Sequence, residues 1–189
     1  QHLKESCDRD DSLLIFDEVI TGFRVDAGGA QSLFGITPHL ATFAKAAAGG
    51  FPVSILTGSK EIMSLIGTGT VMHGGTLNAN VMSMAATKSS MEHLSDEAIQ
   101  TNQKLQDLGK RLMEGLESIN FRLEAGMLIQ GPGSVFAVSF TDGREISDYR
   151  SHVENSDPDK YALFVSEMMK KGIRINSRGI WFLSESHTD

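Results

Sequence analysis

The chain has 189 residues, of which 40% are hydrophobic and 22% charged, a balance typical of a soluble globular protein and not of a disordered one. Its formal net charge of −7 is not offset by any basic segment, which argues against a nucleic-acid partner. The longest apolar runs are far too short for a membrane span. The single cysteine, Cys7, excludes an internal disulfide and a cysteine-based zinc site, and it favours a reducing cytoplasm.

The first apolar segment in the chain ends in two acids. Residues 1–11 are polar and predict the end of a helix, and Ser12–Val19 predicts a buried strand of a parallel sheet. Ligands of open α/β sheets bind at the carboxyl ends of strands, so Asp17 and Glu18 lie where chemistry is expected. The alternatives for Asp17 are a helix cap or an ion pair with Arg24. Glu18 either orients neighbouring groups or forms an ion pair.

A lysine follows between two more predicted strands. Residues 40–47 predict a short strand or turn, and residues 53–57 predict another strand. Lys45 lies among alanines just before Gly49-Gly50, and a partly desolvated lysine in such an uncluttered turn can attack carbonyl groups. An exposed surface lysine is the alternative. A Walker-type phosphate loop fits poorly, because Phe51-Pro52 stands where that loop needs lysine and serine or threonine.

A Gly/Thr-rich loop spans residues 67–78 and precedes a long predicted helix. Small residues before a helix start, here including Gly75 and Thr76, can form an anion site from backbone N–H groups and the threonine hydroxyl. The alternative is a flexible loop in which Thr76 or Asn78 caps the helix.

The remaining elements are predicted from the spacing of apolar residues, which changes from a helical to a strand-like pattern after Asn120. Helices are predicted over 60–66, 80–118 and 158–171, and strands over 121–124, 127–130, 134–141, 173–176 and 180–184. The long helix is expected to break near 94–96, with Ser95 as an N-cap followed by Glu97, and Gly172 is expected to end the last helix. We therefore predict an α/β domain over 1–118 and an α+β domain over 119–189.

A buried acid, a nucleophilic lysine and a phosphate cradle together meet the needs of pyridoxal phosphate. In chain order, Leu14–Val25, Phe43–Val53 and Gly74–Asn80 resemble the cofactor strand, the Schiff-base segment and the phosphate loop of class III pyridoxal-phosphate aminotransferases. The likeness is strongest to glutamate-1-semialdehyde aminomutases and related aminotransferases. It implies fold type I, an α/β fold with a mostly parallel sheet in a large domain and a small C-terminal α+β domain.

The resemblance also implies a role for each matched residue. Asp17 pairs with the pyridine nitrogen, Val19 packs against the ring, and Lys45 forms the Schiff base and moves the proton. Gly75 and Thr76 bind the phosphate from the neighbouring subunit of a homodimer. The implied substrates are a small amino donor and a keto or aldehyde acceptor, and no metal is expected because the histidines lack ligand spacing.

Residues near the end of the chain bear on the substrate. Gly179 stands where the aminomutases usually carry a glutamate, and Arg178 resembles the arginine that holds a substrate carboxylate in β-amino acid aminotransferases. Thr21–Arg24 instead resembles the aminomutases, and Arg178 could equally be a surface arginine. Both an aminomutase and a β-amino acid aminotransferase therefore stay open.

A third hypothesis is a truncated, non-catalytic chain that keeps only the fold and the dimer surface. The chain begins at Gln1 without an initiator methionine, and the resemblance places Asp189 before a closing helix. We expect such a segment alone to bind the cofactor weakly or not at all, and to self-associate through exposed sheet edges.

Overall fold

A computed structural model describes residues 1–96 and 98–188, without the side chains of residues 95–100. The helices and strands in chain order are α1 His2–Arg9, β1 Ile15–Asp17, α2 Gly29–Phe34, β2 Leu40–Phe43, β3 Ile55–Gly58, α3 Lys60–Gly67, α4 Val81–Asp96, α5 Ala98–Leu123, β4 Met127–Gln130, β5 Val135–Phe140, α6 Tyr149–Asn155, α7 Pro158–Lys170 and β6 Ile180–Phe182. They form two compact units, Gln1–Asn102 and Gln103–Asp189. Within the described residues, the helices are too short or too polar to cross a bilayer.

The first unit contains a three-stranded sheet in the order β1-β2-β3. β1 runs parallel to β2, with Asp17 opposite Thr42, whereas β3 runs antiparallel to β2. A mostly parallel sheet was expected, and the described sheet has one pair of each kind. The prediction of a buried first strand is wrong, since Ile15 is 55% exposed and Asp17 is also exposed. β1 is an edge strand, and in the described part of the chain nothing covers the face that carries these two residues.

The core of the first unit lies under β2 and the 3₁₀ turn Lys45–Ala48 that follows it. Ala41 and Phe43 are buried in β2, and Ala47 and Ala48 are buried in the turn. The ring of Phe43 packs against Phe23, with centroids 5.5 Å apart. Helix α4 packs against the same turn, so α4 and the buried apolar residues together hold the segment that carries Lys45 in place.

The second unit is an antiparallel sheet in the order β4-β5-β6, covered by helices. The residues of β5 alternate, so that Phe136, Val138 and Phe140 are buried on one face together with Tyr161 of α7. Leu112 and Leu116 of α5 pack against this cluster. The predicted strands over 127–130, 134–141 and 180–184 and the predicted helix over 158–171 are confirmed to within one or two residues at most ends.

The compact units divide between residues 102 and 103, inside α5, whereas the boundary predicted from the sequence lies near residue 118. The later turns of α5 pack onto the second sheet and therefore cluster with it. The predicted boundary therefore lies inside α5, before its last turn and before the first strand of the second unit.

Two strand predictions are wrong. Residues 121–124 were expected to form a strand, but α5 continues to Leu123, and the 88% exposure of Phe121 shows that its apolar side chain does not face a core. Residues 173–176 were expected to form a strand, but they lie in an irregular segment after α7. Gly172, with φ of 80°, ends α7 as predicted.

Helix α6 was not predicted, although Asp148 and Ser151 form a reciprocal capping box at its start, a signal that the sequence carries. Helices α4 and α5 cover the predicted long helix, and α4 ends at Asp96, close to the break expected near 94–96. Ser95 lies within the last turn of α4, and the predicted contacts of its side chain and of Glu97 lie outside what the structure describes.

Candidate active site

Two predicted site residues meet at one edge of the first sheet. Asp17 is the last residue of β1 and lies opposite Thr42, and Lys45 begins the turn directly after β2. Because β1 and β2 are parallel, their carboxyl ends lie on the same side of the sheet. The structure therefore brings Asp17 and Lys45 to the edge where open α/β sheets bind ligands.

The carboxylate of Asp17 is exposed and locally held. Its Oδ1 atom accepts a hydrogen bond from the backbone N–H of Val19 at 3.0 Å, which closes a short turn at the end of the strand. Val19 itself is half-buried. An exposed carboxylate in a fixed position can pair with a cationic group of a bound molecule.

The backbone of Lys45 adopts a conformation that side-chain-bearing residues rarely take. Its φ is 46°, in the left-handed region, which costs about 1 kcal/mol for a residue with a Cβ. The N–H of Ala47 donates to the carbonyl of Ala44 at 3.0 Å, and the burial of Ala47 and Ala48 holds the turn in place. Such strain is concentrated at functional sites. Lys45 is itself exposed in the described part of the chain, which matches the alternative of an exposed lysine and not the expected partly desolvated one.

Glu18 lies next to Asp17 but in the opposite environment, since only 1% of it is exposed. Its carboxylate accepts the backbone N–H groups of Ala30 and Gln31, both at 2.8 Å, and the hydroxyl of Thr21. Of the two alternatives for Glu18, the described contacts match the orienting role. The sequence places two adjacent acids at the end of an apolar segment and so indicates a site there. Nothing in the local sequence shows which of the two carboxylates is buried.

Gly75 and Thr76 lie on an exposed turn before α4. The N–H of Asn78 donates to the carbonyl of Gly75 at 3.0 Å, which closes the turn. The predicted alternative that Thr76 or Asn78 caps the helix is wrong, because Asn80 accepts the N–H of Ser83 at 3.2 Å in that place. The Thr76 hydroxyl is consequently not engaged as the helix cap.

Arg178 lies in the second unit, in the turn between α7 and β6. Its backbone N–H donates to Oδ1 of Asn176 at 2.7 Å, and Gly179 has a φ of 79° with no room for a Cβ beside the carbonyl of Val138. Arg178 lines a cavity of about 740 Å³ together with Trp181 and lines a second one of about 280 Å³ with Tyr161. Within this unit, the arginine therefore stands at a recess that a small molecule could enter.

Comparison with known sequences shows which protein family the chain belongs to. The sequence profile described as "Aminotransferase class-III" matches residues 1–184. The chain belongs to the class III aminotransferases. Pyridoxal phosphate is the cofactor of this family of enzymes. No group of three or more metal-ligating side chains occurs in the described part of this family member.

Individual relatives of this aminotransferase chain fall on both sides of the substrate question. It is 37% identical over 190 residues to the glutamate-1-semialdehyde 2,1-aminomutase of Clostridium kluyveri, covering 99% of this chain and 44% of that protein. It superposes on an omega-transaminase from Sphaerobacter thermophilus with a TM-score of 0.86 and 34% identity, covering 98% of this chain and 42% of that one. A beta-phenylalanine aminotransferase from Variovorax paradoxus gives 0.86 and 29%, covering 99% and 43%. The chain thus spans less than half the length of these relatives.

Proposed function

We propose that the protein moves amino groups between small molecules with pyridoxal phosphate, as an aminotransferase or aminomutase in which Lys45 is the reactive amine. The observation that carries this proposal is the placement of Asp17 and Lys45 at one strand-end edge. Membership of the class III family supports it.

The residues present fit the chemical groups of the cofactor. A fixed carboxylate at Asp17 suits a protonated pyridine nitrogen, an exposed amine at Lys45 suits an aldehyde, and the N–H groups and hydroxyl of Gly75 and Thr76 suit a phosphate. When bound, pyridoxal phosphate supplies a carbonyl carbon for amines and a ring that stabilises negative charge on the substrate carbon.

The side chains of this chain then have distinct tasks. The negative charge of Asp17 keeps a proton on the ring nitrogen, because an adjacent opposite charge stabilises the protonated form. The amine of Lys45 would take the proton from the substrate carbon that bears the amino group and return it two atoms further along, as the acid and base of a 1,3-proton shift. Val19 covers one side of the ring and excludes water. Gly75 and Thr76 donate to the phosphate, and in the proposed homodimer they do so for the partner subunit.

For the substrate, we propose glutamate-1-semialdehyde aminomutase chemistry first. The support is the 37% identity to the Clostridium kluyveri protein and the aminomutase-like segment Thr21–Arg24. The second candidate is transfer from a β-amino acid, which is favoured by the anchored turn that presents Arg178 to a recess. The planar guanidinium of an arginine binds a carboxylate through two parallel hydrogen bonds.

The remaining expectations are proposals of the same kind. We assign the first unit to the large domain of fold type I and the second to its small α+β domain, joined by α5, in which the predicted boundary near 118 also lies. A homodimer and a cytoplasmic location rest on the family likeness and on the single cysteine.

The reactive lysine is tested by the absorbance of the purified full-length protein, not of this segment alone, with added pyridoxal phosphate. A visible band that differs from free cofactor is expected, and it should vanish in Lys45→Ala. Lys60→Ala, which changes an exposed lysine at the start of α3, should keep the band. A band that survives in Lys45→Ala removes Lys45 from the mechanism. The absence of any band in the unaltered protein favours the non-catalytic hypothesis instead.

The substrate is tested by comparing glutamate-1-semialdehyde with 3-amino acids. If Arg178 binds the carboxylate of a β-amino acid, Arg178→Ala removes both charge-assisted hydrogen bonds and should raise KM for that substrate at least about tenfold. Arg150→Ala, on exposed α6, is the control. If the protein converts only the semialdehyde, and Arg178→Ala has no effect, the result supports the aminomutase and contradicts the β-amino acid aminotransferase.

A further inference from the structure

The buried carboxylate beside Asp17 has a task that the proposed mechanism does not use. We propose that Glu18 is a positioning residue: by bonding to the start of α2, it fixes the direction in which Asp17 leaves β1. This inference rests on the proposed function, in which Asp17 acts on the cofactor ring.

The buried carboxylate of Glu18 is surrounded by hydrogen-bond donors. A buried carboxylate is costly unless hydrogen bonds replace the water it loses. Here Oε2 accepts the N–H of Ala30 and Oε1 that of Gln31, each at 2.8 Å, while the hydroxyl of Thr21 donates to Oε2. Two of these three donors belong to α2, so the carboxylate joins the end of β1 to the start of that helix.

The main chain of Glu18 is held as firmly as its side chain. Its N–H donates to the carbonyl of Thr42 at 2.9 Å, and its own carbonyl accepts the N–H of Gly22, also at 2.9 Å. The adjacent Asp17 accepts the N–H of Val19 at 3.0 Å. The peptides on either side of Glu18 therefore cannot rotate freely, and the direction of the Asp17 side chain follows from the anchoring of its neighbour.

Gly29 leaves the space that this anchor needs. Its φ is 76°, and a Cβ built on it would lie 2.6 Å from Oε2 of Glu18. The chain thus accepts a conformationally costly glycine at the start of α2 and lets the carboxylate reach the backbone N–H groups that follow. The anchor depends on a close approach between two segments that lie 12 residues apart in the chain.

A purely structural role for Glu18 is separated from a positioning role by the absorbance of bound pyridoxal phosphate as a function of pH. Asp17 stabilises a proton on the cofactor, so displacement of Asp17 lowers the pKa of that proton and moves the titration to lower pH. Glu18→Gln preserves size but puts an amide N–H₂ against a backbone donor. We expect it to move the midpoint by about half a pH unit or more in the direction of Asp17→Asn.

Kinetics and amide exchange give independent readouts. In Glu18→Gln we expect kcat to fall about tenfold while KM changes less than about twofold, since Glu18 does not touch the substrate. In the cofactor-free protein, the amides of Ala30 and Gln31 should exchange faster. Asp148→Asn is the matched control: it removes a capping carboxylate from α6 in the second unit and should lower stability without moving the cofactor titration.

A milder variant keeps the test decisive if Glu18→Gln does not fold. Thr21→Val removes one donor to Glu18 and should shift the titration in the same direction by a smaller amount. An unchanged titration in every folded variant at Glu18 and Thr21, alongside a shift in Asp17→Asn, overturns the positioning role. If the unaltered protein binds no cofactor, or Asp17→Asn has no effect, the proposed function itself fails.

Discussion

The indole N–H of Trp181 donates to the hydroxyl of Tyr161 at 3.0 Å, and that hydroxyl donates in turn to the carbonyl of Asn176 at 2.8 Å. The relay joins β6, α7 and the turn that carries Arg178. Asn176 also accepts the backbone N–H of Arg178 through its side chain, so the phenol of Tyr161 helps to determine where the arginine stands.

Replacing Tyr161 with phenylalanine should destabilise the second unit. The change leaves the indole N–H of Trp181 and the carbonyl of Asn176 without this partner, at a cost of about 1–3 kcal/mol in the free energy of unfolding. Urea denaturation measures the loss. Tyr149→Phe is the control, since Tyr149 is 81% exposed and should change the free energy by less than about 0.5 kcal/mol. Equal effects of the two substitutions would contradict the relay.

The same phenol should make the protein sensitive to alkali. Burial raises the pKa of Tyr161 above its ordinary value of 10.0, only partly opposed by the hydrogen bond from Trp181. The unfolded chain therefore loses this proton at a lower pH than the folded chain does. The stabilisation is complete below about pH 10 and is lost as the pH rises through the folded pKa. Urea midpoints between about pH 8 and 12 should fall less steeply in Tyr161→Phe than in the unaltered protein.

Two glycines at the ends of α2 provide a matched pair. Gly29 and Gly35 both have positive φ, of 76° and 63°, but a Cβ on Gly35 would meet nothing within 4 Å, whereas one on Gly29 would strike the carboxylate of Glu18. Gly35→Ala should cost about 1 kcal/mol from backbone strain alone. Gly29→Ala should cost at least about 2 kcal/mol, because displacement of a buried carboxylate adds to the strain. Thermal melts of both variants decide, and equal losses would show that Glu18 moves aside easily.

Ser83 should support the segment that carries Lys45. It is buried in the first turn of α4 and donates its hydroxyl to the carbonyl of Pro52 at 2.9 Å. Ser83→Ala leaves that carbonyl without the bond and should cost about 1 kcal/mol. Ser89→Ala changes an exposed serine of the same helix and should be neutral. If Ser83→Ala is as stable as Ser89→Ala in chemical denaturation, the bond contributes nothing to the packing of α4.

Much of the second unit could be predicted from local pattern. The alternation of Phe136, Val138 and Phe140 indicates a strand with one buried face, and the structure has that strand. The segment 173–176 shows the limit of this reasoning. Its alternation of isoleucine with polar residues fits a strand, but the structure has an irregular segment there, in which the carbonyl of Asn176 accepts the hydroxyl of Tyr161. That contact joins different elements and leaves no trace in the local sequence.

At the candidate site, too, some features could be predicted from the sequence and others depend on the tertiary structure. The sequence by itself identified the family through three ordered segments and predicted which lysine and which acids lie at strand ends, because those choices depend on residue type and spacing. Only the tertiary structure decided that Glu18 turns inward while Asp17 stays exposed. Glu18 directly follows Asp17, the last residue of β1, and of these two acids the one that finds compensating donors is the one that can be buried. Those donors, on Thr21, Ala30 and Gln31, come together only when α2 folds against the end of β1.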